Sequence, residues 1–257
     1  MPERSSYEPG TPSWVDLTTP DLEGAKRFYG ELFGWTTEPA GDPEQTGGYE
    51  MFYCRGKRVA GVGPIMQEGQ PPIWSTYFAT DDVDALAARV TEFGGTALME
   101  PTDVFDAGRM GFFAHPAGGM FGAWQSGEHT GAELVNEPVS LAWNTLVTRD
   151  EAAAGEFLEA TLGLRAETQD FGDGPYTVLT LNGRGVAGLV GPPDGMPDEV
   201  PALWGVSVSV EDADATAAKA QELGGSLTMT AVDVEGVGRI AGLIDPYGAV
   251  FNVAALR

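Results

Sequence analysis

The sequence predicts an α+β protein made of four β-α-β-β-β modules in tandem, and three observations carry that reading. Long stretches recur at an offset of 129–130 residues: "SWVDLTTPDLEGAKRFYGELFGW" (13–35) returns as "LAWNTLVTRDEAAAGEFLEATLGL" (141–164). Each recurring strand-like run leads into an Asp followed by apolar residues at helical spacing. After each helix come short β-prone runs separated by Gly and Pro.

The first module shows the pattern in order. Residues 14–18 alternate as a strand does, Asp21 stands at an N-cap, and Leu22, Ala25, Phe28, Tyr29 and Leu32 lie near helical spacing. Gly34 closes that helix, and 35–39, 49–54 and 58–65 read as three short strands. Residues 74–125 repeat the order, with an Asp-capped helix over 82–93 and a Gly-Gly stop. The second half matches through "LWGVSVSVEDADATAAKAQELGGS" (203–226) and "EGVGRIAGLIDPYGAVFNVA" (235–254), while "GDG" at 172–174 signals a turn. The expected organisation is a tail over 1–11, a first domain over 12–126, a linker over 127–139 and a second domain over 140–257. A chain of 257 residues is long enough for two domains, each with a core.

Composition narrows the partners. With 14 Lys+Arg against 38 Asp+Glu the formal charge is −24, a surface that repels phosphate backbones and anionic lipid. The acidity is spread along the chain, so it reads first as solubility, and second as a field favouring cationic ligands. The N-terminus lacks an apolar signal segment and Cys54 is the one cysteine, so a reducing cytoplasm is the expected location. No dinucleotide fingerprint, phosphate-binding loop or nucleophile elbow is present.

The module order, "DLEGAKRFYGELFGW" after the first strand, and "HPAGGMFGAW" and "DPYGAVFNV" near the ends of the halves resemble the vicinal oxygen chelate superfamily. That group holds glyoxalase I, extradiol dioxygenases and bleomycin-resistance proteins. The resemblance spans roughly residues 12–256 and implies two half-open barrels, each pairing two modules around a cup. Metal-dependent relatives bring His, Glu or Gln from the first and last strands of paired modules onto one ion. Here those places hold Trp14, a residue near Gly61, Ser75 and Gly122, and in the second half Trp143, a residue near Gly188, Gly205 and Asn252. These residues cannot supply a divalent site, so neither metal nor other cofactor is expected.

Acid–base candidates are then few. Asp16 shares the strand face of Trp14, where burial beside an indole would raise its pKa, although a turn-capping role is the commoner fate of such an Asp. His115, the one His within a module, stands where the family places a turn Asp. Thr145 replaces Asp16 in the second half, so the halves are not chemically equivalent. Trp14, Tyr49, Tyr53, Trp74, Tyr77 and Trp124 are candidates for a stacking wall, and Arg109 for an anion or carbonyl contact. Arg109 recurs as Arg239, which equally suits pairing with Asp103 and Asp233.

The expected partner is a small molecule, aromatic or polyketide-like, with nucleic acid and membrane excluded and homodimerisation left open. The resemblance extends to two-half proteins of anthracycline-type polyketide pathways in actinobacteria. It implies a metal-independent tailoring enzyme or accessory factor, using acid–base chemistry of a lyase, isomerase or hydroxylase-like kind if it turns over. A drug- or metabolite-sequestering protein is the alternative, and a metal-dependent lyase or dioxygenase the less favoured one. The N-terminal cup, richer in aromatics, is expected to be the specialised one.

Overall fold

The computed structural model describes residues 3–67, 69–170, 175–193 and 195–257. The first half runs β1 (Pro12–Thr19), α1 (Leu22–Phe33), β2 (Thr36–Pro39), α2 (Pro43–Thr46), β3 (Glu50–Cys54), β4 (Lys57–Pro64), β5 (Ile73–Ala79), α3 (Val83–Glu92), β6 (Thr96–Val104), β7 (Gly108–Ala114) and β8 (Met120–Ser126). The second runs β9 (Leu141–Val147), α4 (Glu151–Leu162), β10 (Arg165–Asp170), β11 (Pro175–Leu181), β12 (Arg184–Val190), β13 (Leu203–Ser209), α5 (Ala213–Glu222), β14 (Ser226–Val234), β15 (Gly238–Ile244) and β16 (Val250–Leu256). Four β-α-β-β-β modules are therefore present, with one addition: α2, a single turn that Asp42 caps and Pro43 starts. The turn expected at 172–174 lies outside the described residues.

Each half is one eight-stranded sheet, ordered β2-β3-β4-β1-β5-β8-β7-β6 and β10-β11-β12-β9-β13-β16-β15-β14. Two modules share each sheet because β1 pairs antiparallel with β5, and β9 with β13. Within a module the first and last strands run parallel, as β1 with β4 and β5 with β8. All four long helices open on an Asp whose carboxylate accepts a backbone N–H three residues on. The pairs are Asp21 with Gly24, Asp82 with Ala85, Asp150 with Ala153 and Asp212 with Ala215, at 2.9–3.0 Å. Gly34 ends α1 at φ 75°, a left-handed conformation that suits a residue without Cβ.

The helices pair across the halves, α1 with α5 and α3 with α4. Module 1 thus packs on module 4, and module 2 on module 3. The first contact buries Phe28, Tyr29 and Trp74 against Phe251, Val206 and Ala217 in one core. The second buries Phe78, Phe113 and Phe121 against Phe157, Leu158 and Trp204 in another. The second core lies on the helix-bearing faces of the sheets, whereas the first continues from its helix-bearing face to Trp14, Tyr77 and Trp124 on the opposite face. Among the described residues no helix is long and apolar enough to cross a membrane.

A buried polar junction sits in each core at the turn near the end of a half. Asp245, the turn Asp of module 4, accepts the Tyr29 hydroxyl at 3.0 Å and the N–H groups of Tyr247 and Ala249 at 2.9 Å. Tyr29 Oη in turn accepts the Trp74 indole N–H at 3.0 Å. His115 occupies the equivalent turn of module 2: its Nδ1 accepts the Ala117 N–H at 2.7 Å, which leaves Nε2 to donate to the Ala153 carbonyl at 3.2 Å.

Replacing Tyr29 with Phe removes a hydrogen bond to a buried carboxylate and leaves the Trp74 N–H without an acceptor. The variant is expected to be about 1.5–3 kcal/mol less stable. Urea unfolding should show a lower midpoint with an unchanged denaturant slope.

Candidate functional site

On the helix-free face of the first sheet, β1 presents Trp14 and Asp16, β5 presents Ser75 and Tyr77, and Tyr49 reaches in from the residue before β3. Period-two alternation puts Trp14 and Asp16 on one side, and register brings Asp16 opposite Ser75 and Trp14 opposite Tyr77. The Asp16 carboxylate accepts the hydroxyls of Tyr77 at 2.8 Å and Tyr49 at 3.2 Å, both on Oδ2. Tyr49 Oη also accepts the Trp14 indole N–H at 3.1 Å. Each phenol has one proton to give, and both are given to the same carboxylate oxygen.

Asp16 is only 8% exposed. Loss of hydration pushes its carboxyl up to about 6, against the opposing hydrogen bonds from Tyr77, Tyr49 and Ser75. Burial, together with the adjacent Asp16 charge, holds the Tyr49 and Tyr77 phenols well above their usual range. The group is therefore a carboxyl that changes protonation near neutrality, flanked by two phenols that stay protonated. Such an arrangement suits general acid–base work.

Trp14, Tyr49, Tyr77 and Trp124 are thus gathered around Asp16 or next to it. Phe112 meets Tyr77 edge-on at 5.2 Å. With Met51 and Met110, Phe112 forms a half-buried apolar margin packed on the same cluster. Trp124 donates its indole N–H to the His129 carbonyl at 2.7 Å. The His129 ring stands edge-on to Trp14 at 4.4 Å and near Trp124 at 5.4 Å. It is 5% exposed, neither ring nitrogen has a hydrogen-bond partner among the described residues, and burial pushes its pKa down to about 4.

Four sequence candidates lie elsewhere. Trp74 points to the helix-bearing face, because it sits one residue out of phase with Ser75 and Tyr77, and it is spent on Tyr29. His115 is a turn residue in the module 2–module 3 contact, its ring edge-on to Phe157 at 4.4 Å, so it is not placed to be an acid or base for the cup. Arg109 forms ion pairs with Asp84 of α3 and with Asp103, the pairing that Arg239 repeats with Asp214 and Asp233. Tyr53 is half-buried on β3, next to the charges of Glu38 and Arg58 rather than Asp16.

The positions at which the resemblance implies metal ligands are closed by close contact. A Cβ at Gly61 would stand 1.8 Å from Tyr49 Oη, and one at Gly122 would stand 2.2 Å from Tyr77 Cδ1. No side chain at either position can coexist with those rings. The Trp14 indole is a donor only and cannot ligate. Among the described residues no group of three or more His, Cys, Asp or Glu could hold an ion. The residues present do not fit a divalent metal.

The second half repeats the closure with different chemistry. Trp143 donates to Tyr176 Oη at 2.9 Å, and a Cβ at Gly188 would stand 1.7 Å from that hydroxyl. Thr145, in place of Asp16, lies 3.3 Å from the same oxygen. Tyr176 and His129 are the members that the sequence reading did not single out. Tyr176 follows Tyr49 by 127 residues, not 129, and the matching offset of Gly61 and Gly188 would have found it.

A family model described as the Glyoxalase/Bleomycin resistance protein/Dioxygenase superfamily matches residues 11–122 and 140–253. The chain is 45% identical over 257 residues to CFP32 of Mycobacterium tuberculosis, a protein named as a glyoxylase, covering 98% of this chain and 97% of that one. It is 42% identical over 275 residues to the anthracycline biosynthesis protein DnrV of Streptomyces peucetius, covering 98% and 95%. Among solved structures, the Mn(II)-bound glyoxalase of Novosphingobium aromaticivorans aligns with a TM-score of 0.66 at 18% identity, over 97% of this chain and 83% of that one. At that identity the likeness is one of fold.

Asp16 gives stability a pH dependence of defined sign. Its pKa is 3.8 unfolded and about 6 folded, so the folded state binds more protons between those values. Stability therefore falls as pH rises from about 4 to 6 and is level above, by an amount on the order of 3 kcal/mol. Urea unfolding from pH 4 to 7 should show this slope in the wild type and not in Asp16→Asn.

Proposed function

The chain belongs to the glyoxalase/bleomycin resistance/dioxygenase superfamily, and from that premise we propose that it is a metal-independent protein of secondary metabolism. In this reading it takes a flat aromatic, polyketide-like molecule on the first sheet and acts on it as a tailoring or accessory factor. The observation that carries the proposal is the buried Asp16 carboxyl, poised near neutral pH and bonded to two tyrosines where relatives would place a metal site. The half-buried margin of Met51, Met110 and Phe112 supplies apolar and aromatic contact for a planar ligand. DnrV, named for anthracycline biosynthesis and similar over nearly the whole chain, supports the substrate class.

In this reading the ligand's proton reaches the buried carboxylate through the Tyr49 phenol, which is hydrogen-bonded to it. The Tyr49 hydroxyl passes its proton to Asp16 as it takes one from the ligand, and the reverse transfer returns it. The near-complete burial of Asp16 also favours a second reading, a carrier or sequestering protein that binds without turnover. The reducing cytoplasm is the proposed location, in keeping with the buried free thiol of Cys54.

A tetracyclic anthraquinone aglycone titrated into the protein should quench tryptophan fluorescence equally with and without EDTA, and Phe112→Ala should weaken binding. In the enzyme reading, Asp16→Asn keeps binding and loses turnover by about 100-fold or more. Binding without any product in the wild type selects the carrier. Loss of binding or turnover on EDTA treatment would sink metal independence.

A further inference from the structure

A second cavity of about 360 Å³ lies in the other half, beside Trp143, and it is the counterpart of a slot that the first half fills with its own chain. In the first sheet β1 and β4 pair from Asp16 and Gly61 onward and splay apart before them. Linker residues occupy that splay. The Ala132 N–H donates to the Ser13 carbonyl at 2.8 Å and the Glu133 N–H to the Arg58 carbonyl at 2.8 Å. The His129 ring stands against Trp14, and the Glu133 carboxylate accepts the Arg58 guanidinium and its backbone N–H, both at 2.8 Å. The filling is thus a flat ring on the tryptophan and a carboxylate on an arginine.

In the second sheet β9 and β12 likewise pair from Thr145 and Gly188 onward. The splay between Trp143 and Gly185 is not filled in this way: linker residues Val135 and Asn136 only edge it, and it opens into the cavity. Its outer wall is the N-terminal segment, tied down by Arg4 N–H to the Glu133 carbonyl at 2.9 Å, Tyr7 Oη to the Ala132 carbonyl at 2.6 Å, and Glu8 to Asn182 and Arg184. Trp143 is pinned by Tyr176, and the outer edge of its indole is 3.5 Å from where a Cβ on Gly185 would stand. Two cations line the space. Arg184 shares a 3.2 Å pair with Glu8 on the surface, and Arg4 has no ion-pair partner among the described residues.

We propose that this cavity binds a small planar aromatic carboxylate, its ring against Trp143 and its carboxylate on Arg4 and Arg184, in the manner of His129 and Glu133 in the first half. An exposed Arg–Glu pair is weak enough for an incoming carboxylate to exchange with Glu8. A guanidinium recognises a carboxylate by paired, charge-assisted hydrogen bonds. The net charge of −24 does not forbid an anion here, because charges beyond about 8 Å are screened at physiological salt. The site is separate from Asp16 and does not rest on the proposed use of the first cup.

Calorimetric titration with 2-naphthoate and its uncharged analogue 2-naphthamide tests the assignment. The acid is expected to bind roughly tenfold more tightly than the amide. Arg4→Gln combined with Arg184→Gln should erase that difference, and Trp143→Phe should weaken both ligands. Phe112→Ala, which weakens binding in the first cup, should leave naphthoate binding unchanged. No binding of naphthoate, equal affinity for acid and amide, or indifference to the arginine substitutions would overturn it. So would binding that is lost in Phe112→Ala and kept in the arginine variant, which would place the ligand in the first cup.

Discussion

The hydroxyl of Tyr49 occupies the space that a side chain at residue 61 would need, and much of the chemistry of this protein follows from that exclusion. With Gly at 61 the phenol can reach both the Trp14 indole and the Asp16 carboxylate. The indole gives its proton to the phenol, the phenol gives its own to the carboxylate, and Tyr77 completes the set from the facing strand. The face of the first sheet between β1, β4 and β5 is filled by a hydrogen-bonded set of the chain's own groups. The cost is an enclosed carboxyl, and the raised Asp16 pKa is the measure of it.

Duplication explains why the closure occurs twice and why its chemistry occurs once. Trp143, Tyr176 and Gly188 repeat the packing of Trp14, Tyr49 and Gly61, so the steric solution was retained in both halves. The titratable member was not: Thr145 stands in place of Asp16, 3.3 Å from the tyrosine hydroxyl. The halves are held together by the faces that carry no such group. There Asp245 and His115 use one turn position in two ways, a carboxylate accepting Tyr29 across the first core and an imidazole bridging to the Ala153 carbonyl in the second. Both satisfy a buried polar turn, which is why either residue type can stand there.

The first and second halves also differ in what lies beside their tryptophans. In the first, residues 129–133 thread the gap where β1 and β4 part, and they seal Trp14 beneath a histidine whose ring nitrogens find no partner among the described residues. In the second, the N-terminal segment and linker residues Val135 and Asn136 wall the equivalent gap around a cavity. The segment between the halves and the one before them thus run along opposite sheets, each at the splayed ends of two strands.

Local pattern alone was enough for the modules: the Asp caps, the Gly34 stop, the Gly- and Pro-bounded strands and the 129–130 residue offset each follow from short-range propensity or from repetition. Period-two alternation also placed Trp14 and Asp16 on one face, since their spacing is two residues on one strand. Alternation could not tell which face of β5 met the helices, so Trp74 was grouped with Tyr77 although they point opposite ways. Nor could it show Tyr176, whose spacing from Trp143 differs by two residues from that of Tyr49 and Trp14, or His129, which lies in a segment with no periodicity at all. Those residues acquire their roles from register between strands and from a chain segment crossing a sheet 115 residues after Trp14. Such contacts are long-range in sequence, and only the folded chain brings their partners within hydrogen-bonding distance.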